Sequence, residues 1–331
     1  MSKLLSQDFN PPGIGLGCMN LSHAYGTPVS EAEGVRALQQ AFDMGYRHFD
    51  TATLYGGGRN ETLVGKALNE KRQSLFLASK CGMGIGQESG VKEIDGRPET
   101  LKAQCEASLR RLQTDHIDLY YLHRRDFNTP IEESVGALAE LVKAGKIGAI
   151  GLSEVSAETL KRAQSVHPIA ALQTEYSLWS RNAEIAVLDA CRDSGTAFVA
   201  FSPLARGYLT NTLQDVTSLV EKDIRRNMPR FNEDNYPQNL QLLSGYVAIA
   251  EEAGCSPAQL ALAWLKAKGD HIIPIPGTRS VEHMQENLLA DQVSLDGALV
   301  ARLDALINQS TVHGPRYSAA QQAEIDTEEF A

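Results

Sequence analysis

The stretch RHFDTATLYGGG occupies residues 47–58 and combines a short apolar run with an acidic residue, a tyrosine and three glycines. An apolar run this short, bounded by polar or glycine residues, is typical of a buried strand. Asp50 directly follows the apolar Phe49, at the expected carboxyl end of that strand. Tyr55 comes five residues after Asp50, in a loop whose glycines allow the backbone to approach a ligand closely. The stretch therefore predicts a strand that delivers polar side chains to a site.

Seven further short apolar runs occur along the chain, and helical patterns separate most of them. Alternation at intervals of roughly 25 to 40 residues is typical of repeated βα units. Eight such units in series favour a closed (β/α)8 barrel, and an open doubly wound sheet is the alternative fold. The predicted strands are 13–19, 47–50, 75–80, 117–123, 147–152, 171–175, 197–201 and 272–275. The predicted helices are 31–44, 60–70, 98–112, 131–144, 156–166, 184–194, 256–267 and 280–290.

Four segments are not part of the eight predicted units. Residues 238–253 and 296–309 have helical patterns, and we expect them to pack outside the barrel. Residues 206–237 lack a clean period, and a connection of that length is usually functional or disordered. Residues 310–331 are polar and acidic with isolated Tyr317 and Phe330, so we expect a surface tail that frays rather than one that covers a site.

Composition and charge narrow the class of protein. The 331 residues are 43% apolar with a net charge of -10, which allows one large core and disfavours nucleic acid or an anionic membrane as a partner. One domain over residues 1–331 is therefore expected. The five cysteines are scattered without a CxxC motif, so we expect no disulfide framework, no zinc site and a cytoplasmic location. Residues 1–12 lack the apolar core of a signal peptide, and no apolar run has membrane-spanning length.

Polar side chains follow seven consecutive predicted strands. In a (β/α)8 barrel the chemistry lies at the C-terminal ends of the strands, so these residues are candidates for one site. A single charged residue at a strand end is as often a hydrogen-bonded structural group as a functional one. Several charged residues that converge on one place favour a functional role. The strand ends are residues 50–51, 79–80, 122–123, 152–154, 173–176, 201–204 and 276–279.

The motif FDTA at 49–52, together with Tyr55, Lys80 and His123, resembles the catalytic tetrad of the aldo-keto reductase family. The resemblance spans nearly the whole chain. It implies a (β/α)8 barrel that binds NADPH across its C-terminal face without a Rossmann fold and reduces a carbonyl by direct hydride transfer. The GLSE and LWSR motifs are similar to a branch that contains pyridoxal reductases of bacteria, fungi and plants. The further matching stretches are 151–154, 173–176, 178–181, 201–204, 275–279 and 286–287.

The resemblance implies roles for the four tetrad residues, and their chemistry agrees with it. A carbonyl becomes an oxyanion as hydride arrives, so the site needs a proton donor and a positive field. Tyr55 is the expected donor, and we expect the Lys80 ammonium to lower the pKa of the phenol from about 10. Asp50 is expected to keep Lys80 charged and oriented. His123 is expected to orient the carbonyl.

The resemblance also places the nicotinamide half of NADPH. Ser153 and Gln173 are expected at the carboxamide, and Met19 and Asp50 beside the cofactor. Phe201 is expected against the face of the nicotinamide ring. The family more often has tyrosine at that position, so a change in affinity is expected rather than a loss of activity.

The phosphate half is expected on a loop and a helix. The loop that follows the seventh predicted strand is expected under the pyrophosphate. Arg279 lies near the sequence position at which many family members have a lysine that binds the 2'-phosphate. Its planar guanidinium can donate two parallel hydrogen bonds to that anion. Gln285 and Asn287 are expected at the phosphate-bearing ribose and the adenine, at a helix whose N-terminus attracts anions. The remaining expected contacts are Ser202, Pro203, Leu204, Arg206, Gly207, Gly277 and Thr278.

Several alternatives stay open at this point. The runner-up function is a cofactor-binding regulatory subunit, because the family includes potassium channel β subunits; the intact tetrad favours turnover. We expect a small-molecule carbonyl as partner, no metal, and a monomer or weak oligomer. Arg124, which follows His123 in the charged run at 123–126, is expected to be a solvated charge at the rim of the pocket.

Overall fold

The computed structural model describes residues 13–22, 24–86 and 89–330, and these contain ten short strands. Eight of the ten form one parallel sheet, and the fourth and fifth form a separate antiparallel hairpin. The strands are β1 (Leu16–Gly17), β2 (His48–Asp50), β3 (Phe76–Cys81), β4 (Met83–Ile85), β5 (Lys92–Ile94), β6 (Leu119–Leu122), β7 (Ile150–Ser153), β8 (Ile169–Glu175), β9 (Ala197–Phe201) and β10 (Ile272–Pro274).

The parallel sheet closes on itself. Its strand order is β1-β2-β3-β6-β7-β8-β9-β10, so each strand pairs with its neighbours along the chain once the hairpin is set aside. The Gly15 N–H donates to the Pro274 carbonyl at 3.0 Å, and the Gly17 N–H donates to the Pro276 carbonyl at 3.2 Å. Because these bonds join the first strand to the last, the open doubly wound sheet is excluded and the predicted (β/α)8 barrel is confirmed.

Helices follow most strands of the barrel and cover its outer surface. Helix α1 begins at a capping box in which the Glu33 N–H donates to Ser30 Oγ, and it ends at Gly45, whose φ of 115° suits a residue without a Cβ. The helices are α1 (Glu31–Met44), α2 (Arg59–Leu68), α3 (Pro98–Leu112), α4 (Ile131–Lys143), α5 (Ala157–Gln164), α6 (Val187–Ser194), α7 (Tyr236–Leu240), α8 (Leu243–Glu252), α9 (Pro257–Ala267), α10 (Val281–Leu289), α11 (Gly297–Leu306) and α12 (Ala319–Gln322).

The two-residue period of a strand sorts side chains between two cores. Apolar residues that face outward pack under the helices in the larger core, whereas those that face inward fill the barrel. In β3, Phe76 and Ala78 belong to the inner core, and the same alternation carries Lys80 to the inner face at the end of the strand. In β6, Leu119 and Tyr121 point inward in the same way, which brings the next inward position to His123.

The predicted elements agree with the observed ones within a few residues, with two exceptions. The hairpin of β4 and β5 was not predicted, because each strand has only three residues and includes glycine or charged side chains. The tail prediction is also wrong in part. In residues 310–330 Arg316, Tyr317 and Ile325 are buried, and the Asp326 N–H donates to the Glu154 carbonyl at 3.1 Å. The tail therefore packs on the barrel instead of fraying.

The connection at 206–237 contains short 3-10 turns rather than disorder. These are Ala205–Thr210, Val216–Ser218, Ile224–Asn227 and Pro229–Phe231. No helix within the described ranges is long and apolar enough to cross a membrane. The expectation for residues 1–12 lies outside the described residues, and the single domain over 1–331 stays a prediction.

Candidate active site

A cavity of about 1150 Å³ opens at the C-terminal ends of the barrel strands. Pockets for ordinary small ligands measure roughly 300–1,000 Å³, so this cavity lies just above the upper end of that range. Sixteen of the predicted site residues line it: Met19, Asp50, Tyr55, His123, Ser153, Gln173, Phe201, Ser202, Pro203, Leu204, Arg206, Gly207, Gly277, Thr278, Arg279 and Asn287.

Asp50 lines the cavity and forms a buried ion pair with Lys80, which is not itself among the lining residues. Lys80 Nζ donates to Asp50 Oδ1 and also to the Thr51 carbonyl at 2.9 Å. The same ammonium lies 3.4 Å from Tyr55 Oη. Gln173 Nε2 donates to the second oxygen of Asp50 at 2.8 Å. The pair fixes the ammonium beside the phenol, and Gln173 fixes the carboxylate.

Tyr55 reaches this pair from a tight loop above β2. The three glycines after it have φ values of 60°, 65° and 88°, which residues with a Cβ rarely adopt. The chain therefore turns at once into α2 and leaves the phenol over the strand ends. The Tyr55 ring meets the His123 ring edge-on, with 5.7 Å between their centroids. The structure thus brings together all four residues of the predicted tetrad.

Burial controls the acidity of Tyr55. It raises the pKa of the phenol above its usual value near 10, and the nearby charge of Asp50 acts in the same direction. Lys80 and Arg124 lower that pKa but do not outweigh burial. The sequence-based expectation of a lowered pKa is therefore wrong in its net direction, although Lys80 acts as expected. At neutral pH the phenol carries its proton.

Lys80 and His123 have opposite protonation states. Burial alone lowers the pKa of the Lys80 ammonium, but Asp50 and Tyr55 together bring it above its usual value. Burial also lowers the pKa of His123 well below 6.5, and the charges of Arg124 and Lys80 add to that effect. Lys80 is therefore charged and His123 is a neutral imidazole at pH 7. The buried His123 Nδ1 has no hydrogen-bond partner within the described part of the chain.

The loop after β9 is strained where it lines the cavity. Ser202, Ala205 and Arg206 adopt left-handed φ values of 50°, 49° and 58°, and Gly207 follows at 95°. Residues with a Cβ in such conformations carry a cost and cluster at functional sites. The Arg206 guanidinium is not free, because its Nη2 donates to Glu175 Oε2 at 2.6 Å.

The far end of the cavity lies at the start of α10. Arg279 Nη1 donates to the Thr27 carbonyl, which holds its exposed side chain against the loop before α1. Asn287 is buried, and neither its Oδ1 nor its Nδ2 has a hydrogen-bond partner in the described residues. Gln285 is exposed and is not among the residues that line the cavity, contrary to prediction. A helix advances about 100° per residue, so Glu286 and Asn287 face the cavity and Gln285 points away.

The roof of the cavity comes from two segments that sequence reasoning did not assign to the site. The hairpin contributes Met83, Ile85 and Lys92, and the tail contributes Tyr317, Gln321, Glu324 and Ile325. Lys92 Nζ donates to Glu324 Oε2 at 2.6 Å, which ties hairpin and tail together. The isolated Tyr317 in a polar tail was the one sequence signal that could have pointed to this roof.

A buried ion pair and a buried hydrogen bond anchor the tail beside the site. Arg316 Nη2 donates to Glu154 Oε2 at 3.0 Å, and Tyr317 Oη donates to Glu175 Oε2 at 2.9 Å. Burial alone would raise the pKa of Glu175, but the surrounding arginines, Arg206 first, hold it at about 2. Glu175 is therefore an anion that joins the loop after β9 to the tail. In the described residues no group of three His, Cys, Asp or Glu side chains is arranged to hold a metal ion.

Comparison with known proteins settles the family. A profile of the aldo/keto reductase family matches residues 13–308. The chain belongs to this family. It is 40% identical over 319 residues to aldo-keto reductase yakc [NADP(+)] of Schizosaccharomyces pombe, covering 95% of this chain and 94% of that protein. It is 39% identical to probable aldo-keto reductase 1 of Glycine max, covering 95% and 91% of the two chains.

Solved structures of aldo-keto reductases share the barrel. The glycerol dehydrogenase of Gluconobacter oxydans superposes with a TM-score of 0.81 at 30% identity, over 93% of this chain and 95% of that one. An aldo/keto reductase of Klebsiella pneumoniae, solved in complex with NADP and acetate, gives a TM-score of 0.71 at 28% identity, over 93% and 95% of the chains. The assignment to the pyridoxal reductase branch stays a prediction.

Proposed function

We propose that this aldo-keto reductase reduces aldehydes or ketones to alcohols and that NADPH is its hydride donor. The observation that supports the proposal most is that Asp50, Tyr55 and His123 line one cavity and that the buried Lys80 contacts Asp50 and Tyr55 directly behind its wall. A protonated phenol beside a fixed ammonium is the combination that a developing alkoxide needs. The family membership of the chain favours the same chemistry.

In the proposed reaction, bound NADPH supplies a hydride to the carbonyl carbon. Tyr55 donates its proton to the carbonyl oxygen, so that C=O becomes CH–OH and the phenol becomes a phenolate. Lys80, 3.4 Å away, stabilises that phenolate with its positive charge. Asp50 keeps Lys80 in place and charged. Tyr55 regains a proton from solvent before the next cycle.

His123 orients the substrate in this scheme. Its imidazole is neutral at pH 7, so an N–H of the ring can donate to the carbonyl oxygen without bringing a charge. The edge-on contact of the two rings, with 5.7 Å between their centroids, supports a role for both residues at one substrate carbonyl. Two donors on one oxygen fix the angle of the carbonyl.

The cavity residues fit a dinucleotide. Asn287 is buried with both side-chain polar atoms unpartnered, as expected of a group reserved for a ligand such as adenine. We assign Arg279 to the 2'-phosphate, the strained loop at 202–207 to the pyrophosphate and Phe201 to the nicotinamide face. Ser153 and Gln173 are assigned to the carboxamide, with Met19 beside it. The NADP(+) in the name of the fission-yeast relative and the NADP in the Klebsiella structure favour this cofactor.

The rival function, a cofactor-binding regulatory subunit, is not favoured by any feature of the site. The relatives described above are named as reductases or as a dehydrogenase. The intact set of Asp50, Tyr55, Lys80 and His123 favours turnover over cofactor binding alone.

Transfer of deuterium tests the proposed reaction. The protein is incubated with 4-nitrobenzaldehyde and NADPH that carries deuterium at the transferred position of the nicotinamide C4. We expect one deuterium on the carbinol carbon of the alcohol, because the transfer is direct. An alcohol without deuterium, or no alcohol formed from any aldehyde of a broad panel, would contradict the proposal.

We further propose a cytoplasmic protein that acts on a small carbonyl compound as a monomer or weak oligomer, without nucleic acid. All five cysteines are free thiols, and four of them are buried, which suits a reducing compartment. The net charge of -10 disfavours nucleic acid as a partner. Size-exclusion chromatography with light scattering measures the oligomeric state.

A further inference from the structure

Arg124 lines the cavity directly beside the proposed catalytic residues. Its Nη1 donates to the His123 carbonyl at 2.7 Å and to Ser153 Oγ at 3.2 Å. These bonds hold the guanidinium between the ends of β6 and β7. The side chain is half-buried and lines the cavity, so it is less exposed than the solvated charge that the sequence led us to expect.

Most cations of the cavity are already neutralised by a carboxylate. Lys92 pairs with Glu324 at 2.5 Å, Arg206 with Glu175 at 2.6 Å, and Arg225 with Asp223 at 2.8 Å. Among the described residues, two lysine or arginine side chains that line the cavity have no carboxylate within 4.0 Å. They are Arg124 and Arg279.

The two unpaired guanidinium groups belong to different parts of the cavity. Arg279 precedes α10 and is assigned to the cofactor phosphate. Arg124 adjoins His123, which is assigned to the substrate carbonyl. A half-buried guanidinium that still has N–H groups available for hydrogen bonds is a strong binding site for a planar anion. It can donate two parallel hydrogen bonds to two oxygens of that anion.

The charge balance around Arg124 favours a singly charged anion. The neighbouring pairs Asp50–Lys80 and Lys92–Glu324 are each neutral, which leaves one surplus positive charge at this end of the cavity. A carboxylate carries one negative charge, whereas a phosphate monoester carries about 1.5 to 2. The surplus therefore matches a carboxylate better.

We propose that Arg124 binds a carboxylate of the substrate and that the enzyme prefers aldehydes or ketones that also carry a carboxylic acid. The inference rests on the proposed carbonyl reduction and names the substrate class of that same site. Because Arg124 and His123 are neighbours at the end of β6 and both line the cavity, the carboxylate and the carbonyl of the substrate bind in the same part of the cavity. Ser153 Oγ and the His123 carbonyl orient the guanidinium for this contact.

Matched acid and ester substrates test the proposal. The 2-, 3- and 4-formylbenzoates and their methyl esters are compared by kcat/KM at saturating NADPH, in the parent and in Arg124→Met and Arg124→Lys variants. Arg110→Met serves as control, because Arg110 is an exposed arginine on α3 outside the cavity. The ratio of acid to ester removes any general effect of Arg124 on Tyr55, since that effect acts on both substrates.

We expect the parent to prefer at least one acid over its ester by about 10- to 100-fold, the range of a charged hydrogen bond to an anion. Arg124→Met should bring that ratio to about one, Arg124→Lys should retain part of it, and Arg110→Met should leave it unchanged. A parent without any acid preference, or a preference that survives in Arg124→Met, overturns the inference. Active esters in the parent would still uphold carbonyl reduction.

Equilibrium binding separates this inference from the proposed reaction. If no aldehyde is reduced, the proposed function fails, and calorimetric titration with benzoate in the presence of NADPH still tests Arg124. We expect benzoate to bind the parent about 10-fold or more tightly than Arg124→Met. Equal affinities would overturn the inference. Circular dichroism establishes that each variant is folded.

Discussion

The buried pair of Arg316 and Glu154 gives a quantitative prediction for the tail. The two side chains are 2% and 0% exposed, and Arg316 donates to both oxygens of Glu154, at 3.0 and 3.3 Å. Arg316→Met keeps the unbranched apolar stem of the side chain but removes the guanidinium, which leaves the Glu154 carboxylate buried without its cation. Breaking such a pair costs about 3–5 kcal/mol of the free energy of unfolding. Glu154 keeps the Glu175 N–H as a donor at 2.8 Å, so we expect the lower half of this range.

The expected change in melting temperature follows from the size of the chain. For 331 residues the entropy of unfolding is about 0.7 kcal/mol/K, at roughly 2.1 cal/mol/K per residue. A loss of about 3–4 kcal/mol therefore lowers Tm by about 4–6 °C. Because Tyr317 and Ile325 line the cavity, a loosened tail should also raise KM for the carbonyl substrate more than it changes kcat.

Thermal melting by circular dichroism measures the shift, and Arg302→Met is the matched control. Arg302 pairs with Glu252, but the two side chains are 50% and 54% exposed. Such surface pairs contribute about 0–1 kcal/mol, so the control should lose less than about 1.5 °C. Equal shifts for Arg316→Met and Arg302→Met would refute the reasoning that the buried pair holds the tail on the barrel.

Three further predictions concern the cavity. Arg279→Ala should weaken NADPH by about 10- to 100-fold and NADH by much less in fluorescence titration, because only NADPH has the 2'-phosphate; equal losses would remove Arg279 from that role. Phe201→Ala should raise the Kd of NADPH by about 3- to 10-fold while Phe201→Tyr changes it by a smaller factor, since stacking needs only a ring and the added hydroxyl has a secondary effect; a loss in Phe201→Tyr as large as in Phe201→Ala would speak against stacking. The kcat/KM for reduction should stay flat between about pH 6 and 9, because the pKa of His123 lies well below 6.5 and that of Tyr55 above 10. Activity should then fall as pH rises through the pKa of Tyr55, and an acid limb near pH 6.5 would contradict a neutral His123.

The barrel and the centre of the site were predictable from sequence because strand geometry determines both. Buried strands have a side-chain period of two, so the inner positions of β2, β3 and β6 are set once the apolar runs are found. That period carries Asp50, Lys80 and His123 to the same end of the barrel. The parallel arrangement then brings the strand ends together.

The roof and the electrostatics were not predictable in the same way. Arg316 and Glu154 are 162 residues apart, and nothing local in a polar tail indicates that such a pair will form. The three-residue strands of the hairpin give too short a pattern to detect. Burial raises the pKa of Tyr55 and Lys80 lowers it, and which effect is larger depends on how deeply the folded chain buries the phenol. Gln285 was wrongly assigned to the cofactor site because successive helix residues point about 100° apart. Its neighbour Glu286 lines the cavity instead.

The most direct test of the account is the rate of carbonyl reduction by Tyr55→Phe. NADPH oxidation is followed at 340 nm with 4-nitrobenzaldehyde for the parent, Tyr55→Phe and the control Tyr25→Phe, which removes another hydroxyl from the cavity. Loss of a general acid costs about 10²- to 10⁴-fold, so we expect kcat/KM to fall by that factor in Tyr55→Phe, with NADPH affinity nearly unchanged and Tyr25→Phe retaining most activity. Equal rates for the parent and Tyr55→Phe would contradict the central claim that Tyr55 donates the proton.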